Sequence, residues 1–304
     1  MNSYYGLSAS ADSKLLVSVR RESTAYMTIL QTDAKTADEG LRQITNASPA
    51  LEGADGLSFT GDGRVVFASA ASGSGELWIM DSDGSHKQQL TNTGARNMSY
   101  SVSRDGRVLV CASNRGGGHD VWRMNSDGTD ASQLTTSGAD GQPAISPDGQ
   151  WIAYMSMAAG KRSLRRMDAD GTHQKDLTGI PMLPLQPAIS PDGRRVAFTT
   201  YDPGQRSLQM VVLQADDGTA VFHANIPAAG PVQWTPAGDA VAYVRSGDGV
   251  DNIWAQPLSA APPRQITHLR EGNIYRFAWS PDGKKLAIAR GNTTSDLVLL
   301  QPAN

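Results

Sequence analysis

Apolar and polar residues alternate in short runs along almost the whole chain. "VVFAS" (65–69), "VLVCAS" (108–113), "WIAYMS" (151–156), "VAFTT" (196–200), "AVAYV" (240–244) and "LAIAR" (286–290) are rich in β-branched and aromatic side chains. Each is bounded by Gly, Asp, Pro or Ser, the pattern of short strands whose faces are covered. Immediately before each comes a tight turn: "TGDGR", "SRDGR", "SPDGQ", "SPDGR", "TPAGD" and "SPDGK". Pro and Asp at the central positions favour a type I turn, and the following Gly takes the left-handed position of a hairpin with a bulge.

The alternation repeats at long range. The Ser or Thr opening each turn stands at Ser10, Thr60, Ser103, Ser146, Ser190, Thr235 and Ser280, in steps of 50, 43, 43, 44, 45 and 45 residues. "AISPDG" at 144–149 recurs unchanged at 188–193. Each copy continues into a third strand, such as "ELWIMD", "DVWRMN" or "NIWAQPL". Most then reach a short fourth strand, such as "KQQLT", "ASQLT", "QKDLT" or "PRQIT". Four antiparallel strands in about 43 residues are the signature of a propeller blade. A lone blade cannot bury both faces of its sheet, whereas a ring of blades can. The expectation is an all-β, seven-bladed β-propeller forming a single domain, with four-stranded antiparallel blades at about 4–46, 47–92, 93–136, 137–179, 180–226, 227–268 and 269–304. Small residues two before the turn (Ser8, Ser58, Ser101, Ala144, Ala188, Ala278) suit the crowded innermost strand. Their bulky neighbours (Phe59, Val102, Ile145, Ile189, Trp234, Trp279) should fill the space between blades. Trp78, Trp122 and Trp254 share one position on the third strand and are expected in the same interblade core.

Composition adds limits. Among 304 residues, 31 Gly and 16 Pro fit a turn-rich β fold, and a net charge of -3 gives no basic footprint for nucleic acid. No run approaches the ~18 apolar residues of a membrane span. The first ten residues carry no signal-like pattern. The lone Cys111, inside an apolar strand, excludes an intramolecular disulfide and is expected to be buried and inert.

The "SPDG(K/R)" hairpin, the "(D/N)(I/V/L)W" third strand and the "DG(S/T)…QLT" close resemble TolB-like propellers of the WD40-like PD40 type. The irregularities "SYYGLSASADSKLLVSV", "YDPG" and "FAWSPDGKKLAIARGNTTSDLVLL" are similar to the C-terminal propeller of bacterial serine/threonine kinases. Neither "HRD" nor "DFG" occurs, so no kinase activity is implied. The resemblance implies a bacterial protein, with this chain the extracytoplasmic part of a larger one. By copy, the seventh blade stops at "DLVLLQPAN" without a fourth strand, and "MNSYY" is short and turn-like. The last blade is therefore expected to lack its outer strand, with the chain a piece of a longer, monomeric protein.

Candidate chemistry lies on the face opposite the "SPDG" turns, where the loops between second and third strands are longer. "SVRREST" (18–24) and "RGNTTSD" (290–296) are read as two of these loops. Glu76, Asp120, Asn252 and Asp296 each precede a third strand, and His119, Asp251, His268 and Glu271 lie nearby. Projected around a ring they converge on a channel mouth. A ring of carboxylates and carbonyls could hold a hard divalent cation, Ca²⁺ or Zn²⁺, with Asp120 and Glu271 as its ligands. Such a cation could polarise a phosphoryl or lactone oxygen. The competing reading has the same acids capping strand starts. "DSDGS" and "DADGT" lack the distal Glu of a calcium loop and read as hairpin turns. His86, His173 and His223 fall in different blades without metal-ligand spacing. No G-x-S-x-G nucleophile elbow is present. The sequence thus favours a non-catalytic module binding a protein or small molecule on its loop face. The alternative is a metal-dependent hydrolase of phosphotriesters, lactones or esters at the channel mouth.

Overall fold

The computed structural model describes residues 2–10, 15–33, 40–160, 162–178, 185–227, 230–259 and 261–300. The first strands in chain order are β1 (Asn2–Ala9), β2 (Leu16–Gln31) and β3 (Leu41–Gln43). Blade I follows with β4 (Leu57–Phe59), β5 (Val65–Ser69), β6 (Glu76–Met80) and β7 (Gln88–Gln89). Blade II holds β8 (Asn97–Val102), β9 (Val108–Ser113), β10 (Asp120–Asn125) and β11 (Ser132–Gln133). Blade III is β12 (Asp140–Ile145), β13 (Trp151–Ser156), β14 (Ser163–Asp168) and β15 (Lys175–Asp176). Blade IV is β16 (Leu185–Ile189), β17 (Arg195–Asp202), β18 (Ser207–Gln214) and β19 (Ala220–Ile226). Blade V is β20 (Val232–Trp234), β21 (Ala240–Gly247), β22 (Val250–Pro257) and β23 (Arg264–Gln265), and the last strands are β24 (Asn273–Trp279) and β25 (Lys285–Leu300).

The all-β class and the four-stranded antiparallel blade are as the repeat predicts, but the described residues form six sheets rather than seven. The first and seventh copies share one sheet. β24 pairs with β25, β25 with β2, and β2 with β3, giving blade VI its four strands in the order β24-β25-β2-β3. The outer strand thought to be missing is therefore present, supplied by "LRQ" of β3 from the first copy. Closure of the ring needs no further strand.

Two segments read as loops cause the difference. "SVRREST" and "RGNTTSD" lie inside β2 and β25, which pair without interruption from Leu16↔Leu300 to Gln31↔Lys285. The Thr residues in these stretches support extended backbone, and the turn dipeptide Gly291-Asn292 is overridden by continuous pairing, Gly291 with Ala25 and Asn292 with Thr24. Gly291 is there for close approach: a Cβ on it would stand 1.9 Å from the Thr24 carbonyl oxygen. Beyond the ring, the first half of β2 is flanked by β1 and by the end of β25. This forms a three-stranded extension that exposes Leu7, Leu297 and Leu299, and it places Ser8 on the outlying β1 rather than on an innermost strand, because the first copy's hairpin joins the extension.

Six apolar clusters each bridge two adjacent blades, one at every junction of the ring. Met27 and Ile29 of blade VI meet Phe59, Phe67 and Met80 of blade I. Leu77 and Ile79 meet Tyr100, Leu109 and Met124 between I and II. Val244 and Ile253 of blade V meet Ile274, Phe277 and Ile288 of blade VI. The remaining junctions are filled in the same way. Each junction removes large side chains from water at roughly 25 cal/mol per Å² of apolar surface, which drives the ring to close. Trp78, Trp122 and Trp254 pack against three of these clusters, as the sequence predicts, under the cations of Lys87, Arg115 and Arg245. Cys111 is fully buried, and burial pushes its thiol up to about 12.

The two "AISPDG" stretches form the inner hairpins of blades III and IV. The Ser146 hydroxyl donates to Asp148 Oδ1 and accepts from the Gln150 and Trp151 amides at 3.1 and 3.0 Å. Ser190 and Asp192 repeat the arrangement with the Arg194 and Arg195 amides. Ser and Asp thus serve the turn itself.

Candidate functional site

The loop acids are turned inward to fasten the blades. Glu76 is fully buried at the start of β6. It accepts the Thr91 hydroxyl at 2.5 Å, the amides of Thr93 and Gly94 at 2.7 and 2.8 Å, and Asn97 Nδ2 of the next blade at 3.0 Å. Asp120 of blade II accepts Gln133 Nε2, the Thr135 hydroxyl and the Gly138 amide at 3.0–3.1 Å. Asn252 of blade V accepts the Thr267 hydroxyl at 3.0 Å and the Leu269 amide at 2.7 Å. In all three the Thr hydroxyl accepts the amide of the residue after the acid or amide: Leu77, Val121 and Ile253. The clamp ties the end of each fourth strand to its third strand and directs the chain into the next blade. The sequence carries its signal: Glu76 to Thr91, Asp120 to Thr135 and Asn252 to Thr267 are all 15 residues apart, and each Thr ends a "QLT" or "QIT".

The other candidates scatter. Asp251 accepts the Ser246 hydroxyl and, at 2.8 Å, the Ile274 amide, joining blade V to VI. His119 is exposed, and its backbone pairs with Gly138 and Asp140. Asp296 lies on the extension, 3.4 Å from Arg20, because β25 continues straight past the ring. His268 and Glu271 share a cavity of about 310 Å³ with Leu30, Leu41 and Arg290, whose guanidinium donates to the Glu271 carbonyl. Asp120 and Glu271, the expected ligand pair, sit on blades II and VI with blade I between them. Among the described residues no group of three or more His, Cys, Asp or Glu is placed to hold a metal ion.

A different concave site runs through the centre. The innermost strands line a channel in register, and its wider part, about 250 Å³, opens among the hairpin turns at Arg104, Pro147, Pro191, Pro236 and Pro281. The small residues Ser58, Ser101, Ala144, Ala188 and Ala278 give it width, as their position before the turn predicts. Deeper in, sharing Leu57, Tyr100, Pro143, Pro187 and Gln233 with the wider part, lies a chamber of about 60 Å³. Four residues before each hairpin Ser or Thr, the six blades present Gly56, Ser99, Gln142, Gln186, Pro231 and Arg276 at its wall.

This layer is built from bulges. The inner pairs of blades II, III, IV and VI shift register at Met98/Ser101, Gly141/Ala144, Leu185/Ala188 and Ile274/Arg276. Ser99, Gln142 and Gln186 take left-handed backbone with φ of 47°, 50° and 49°, a conformation that non-glycine residues adopt at a cost and that clusters at functional sites. Gly56 makes room for Tyr100, whose ring would meet a Cβ there at 2.4 Å. The Tyr100 hydroxyl donates to the carbonyls of Gly56 and Val66, and burial raises its pKa well above the ordinary phenol. Arg276 Nη1 donates to the Tyr275 carbonyl at 2.8 Å. With the Gln186 amide oriented so that Oε1 faces the guanidinium, that oxygen accepts from Nη1 and Nη2 at 3.1 and 2.8 Å. Burial depresses the Arg276 pKa, while the Asp55 carboxylate and Tyr100 act in the opposite direction. The column emerges from the sequence only when the blades are aligned on the hairpin Ser or Thr and compared four residues upstream.

The TolB beta propeller domain (PD40) family model matches residues 8–165 and 158–294. The chain belongs to the PD40 TolB β-propeller family. Among solved structures, this PD40 propeller is similar to a putative TolB from Agrobacterium tumefaciens, with a TM-score of 0.70 and 18% identity over 89% of this chain and 99% of that one. TolB from Acinetobacter baumannii gives a TM-score of 0.63 at 14% identity, covering 90% of this chain and 66% of that one. A chain of a nidogen/laminin complex gives 0.61 at 11% identity, covering 80% and 94%. No curated relative matches the PD40 chain. At these identities the structural likeness concerns the fold. Among the described residues no helix is long and apolar enough to cross a membrane.

Proposed function

We propose that the chain is a non-catalytic recognition module: a rigid, monomeric propeller that binds a protein or small-molecule ligand at its central channel and loop face. One observation carries this reading. Glu76 and Asp120 are engaged in clamps at the blade edges and Glu271 stands apart from them on the far side of blade I, so no ligand set for a hydrolytic metal is gathered among the described residues, whereas the channel walls bring polar groups from several blades around a cation. Membership of the PD40 family supports a propeller module, and the similar fold in a nidogen/laminin complex belongs to a protein–protein assembly. A binding role also suits the packing, since a ring fixed at six junctions presents its channel without reorganisation.

The test separates this reading from a metal-dependent hydrolase. Chelator-stripped protein is assayed on an activated phosphotriester, an aryl ester and a lactone, with Ca²⁺, Zn²⁺ or Mn²⁺ returned. The expected result is no turnover above the protein-free control and no metal-dependent melting shift. Metal-dependent turnover abolished by Asp120→Ala with Glu271→Ala would overturn it.

A further inference from the structure

The proposal here rests on the channel as the binding site and names the chemistry it selects. Arg276 is the one charged side chain in the layer formed by Gly56, Ser99, Gln142, Gln186, Pro231 and itself. Its hydrogen-bond partners, the Tyr275 carbonyl and the Gln186 amide oxygen, are neutral and engage three of the five N–H donors a guanidinium carries. Among the described residues no carboxylate pairs with it. The carboxylate that acts on it electrostatically, Asp55, is held by Arg96 at 2.9 Å. A half-buried cation without a counter-charge is costly unless an anion joins it.

The surroundings narrow the anion. The chamber of about 60 Å³ has room for a carboxylate and opens into the wider part of the channel. Its walls combine polar groups, from Ser99, Gln142 and Gln186, with the apolar faces of Pro143, Pro187, Leu57 and Phe277. One cation balances a monoanion, and apolar walls suit the carbon chain of an organic acid rather than the hydration shell of phosphate. Gln142 is fixed in place, since its Oε1 accepts the Gln186 amide at 2.7 Å. The layer is therefore preorganised rather than assembled around a ligand. We propose that the channel binds a carboxylate carrying an apolar chain, its head paired with Arg276 and its chain directed toward the hairpin face. The carboxylate is that of a free organic acid or of a peptide C-terminus.

Titration calorimetry on the intact chain tests this with benzoate, benzamide, inorganic phosphate, a pentapeptide ending Ala-Leu with a free carboxylate, and the same peptide amidated. The expected result is saturable binding of benzoate, of the free-acid peptide, or of both, which distinguishes the two sources. Each amide should bind at least tenfold more weakly than its acid, about 1.4 kcal/mol. Arg276→Gln should lose that difference, and Arg276→Lys should retain part of it. Melting curves for both variants, together with the exposed control Arg264→Gln, show that the fold is kept. Equal binding of acids and amides, or undiminished acid binding by Arg276→Gln, overturns the carboxylate assignment while leaving a binding channel intact. Absence of saturable binding by any probe also overturns it. Metal-dependent hydrolysis is the separate result that removes the recognition reading.

Discussion

Replacing Glu76 by Ala distinguishes a clamp from a ligand-binding acid by the sign of the effect on stability. The carboxylate is fully buried and accepts from Thr91 Oγ1, the Thr93 and Gly94 amides and Asn97 Nδ2. Removing it leaves these donors without their acceptor in a site closed to water. Each unsatisfied buried donor costs about 1–3 kcal/mol, and neighbouring losses do not add fully. Partial hydration of the space left behind recovers some of this, so a loss of about 3–5 kcal/mol is expected. In a domain of 304 residues, 1 kcal/mol moves the melting temperature by roughly 1.6 °C, which predicts a fall of about 5–8 °C. Thr91→Val removes the partner hydroxyl, and Glu76→Ala with Thr91→Val should cost less than the sum of the single changes. The assay is urea and thermal unfolding followed by tryptophan fluorescence. Were Glu76 one of several carboxylates facing one another around an unfilled cation site, its removal would relieve repulsion and stabilise the metal-free protein. A Glu76→Ala variant within 0.5 kcal/mol of the parent, or more stable than it, would refute the clamp.

Further outcomes follow from other parts of the ring. Gly291→Ala should destabilise by several kcal/mol, because its Cβ would stand 1.9 Å from the Thr24 carbonyl oxygen; thermal melting checks this, and an unchanged midpoint contradicts it. The Ser103 hydroxyl and the Arg107 amide hold Asp105 below its ordinary pKa, and Ser280 and Lys284 do the same for Asp282. With the folded pKa depressed, their stabilisation is present above the unfolded value near 3.9 and is lost as pH falls through the folded one. Melting temperature should therefore be insensitive to these groups at pH 6 and drop below about pH 4, less steeply in Ser103→Ala. Cys111, buried with its thiol pushed up to about 12, should resist an aromatic disulfide reagent at pH 8 in the native protein and react at once in urea. Rapid native labelling would show that the β9 core opens.

Much of the fold was legible in the sequence because blades II to V each close within about 45 residues. Their turns are fixed by local chemistry, as in the Ser146–Asp148 bond, and their strands by alternation. The ring's closure was not legible, since pairing β2 with β25 joins residues more than 250 positions apart and leaves no local mark. "RREST" and "GNTTS" resemble loops when copies are aligned by count, and become strand when their Thr residues are weighed. Site residues divide along the same line. Glu76, Asp120 and Asn252 are legible as equivalent positions before the third strands. Their inward orientation depends on the threonine 15 residues later, whose role as a partner shows only once the fourth strand is folded back on the third. Arg276 is not legible in the sequence, because a single Arg on an inner strand gains meaning only beside the other five members of its layer.

The six-sheet ring, closed by β2 against β25, is the frame on which the channel layer and Arg276 depend. Disulfide trapping across the closure tests it most directly. Ser23 and Thr293 are register partners on the exposed extension with side-chain oxygens 2.9 Å apart, whereas Ser295 faces Arg21. Ser23→Cys with Thr293→Cys should oxidise nearly quantitatively to a cross-linked form of altered mobility on a non-reducing gel, while Ser23→Cys with Ser295→Cys should not. Failure of the first pair to close, or equal closure of both, would contradict the six-sheet ring.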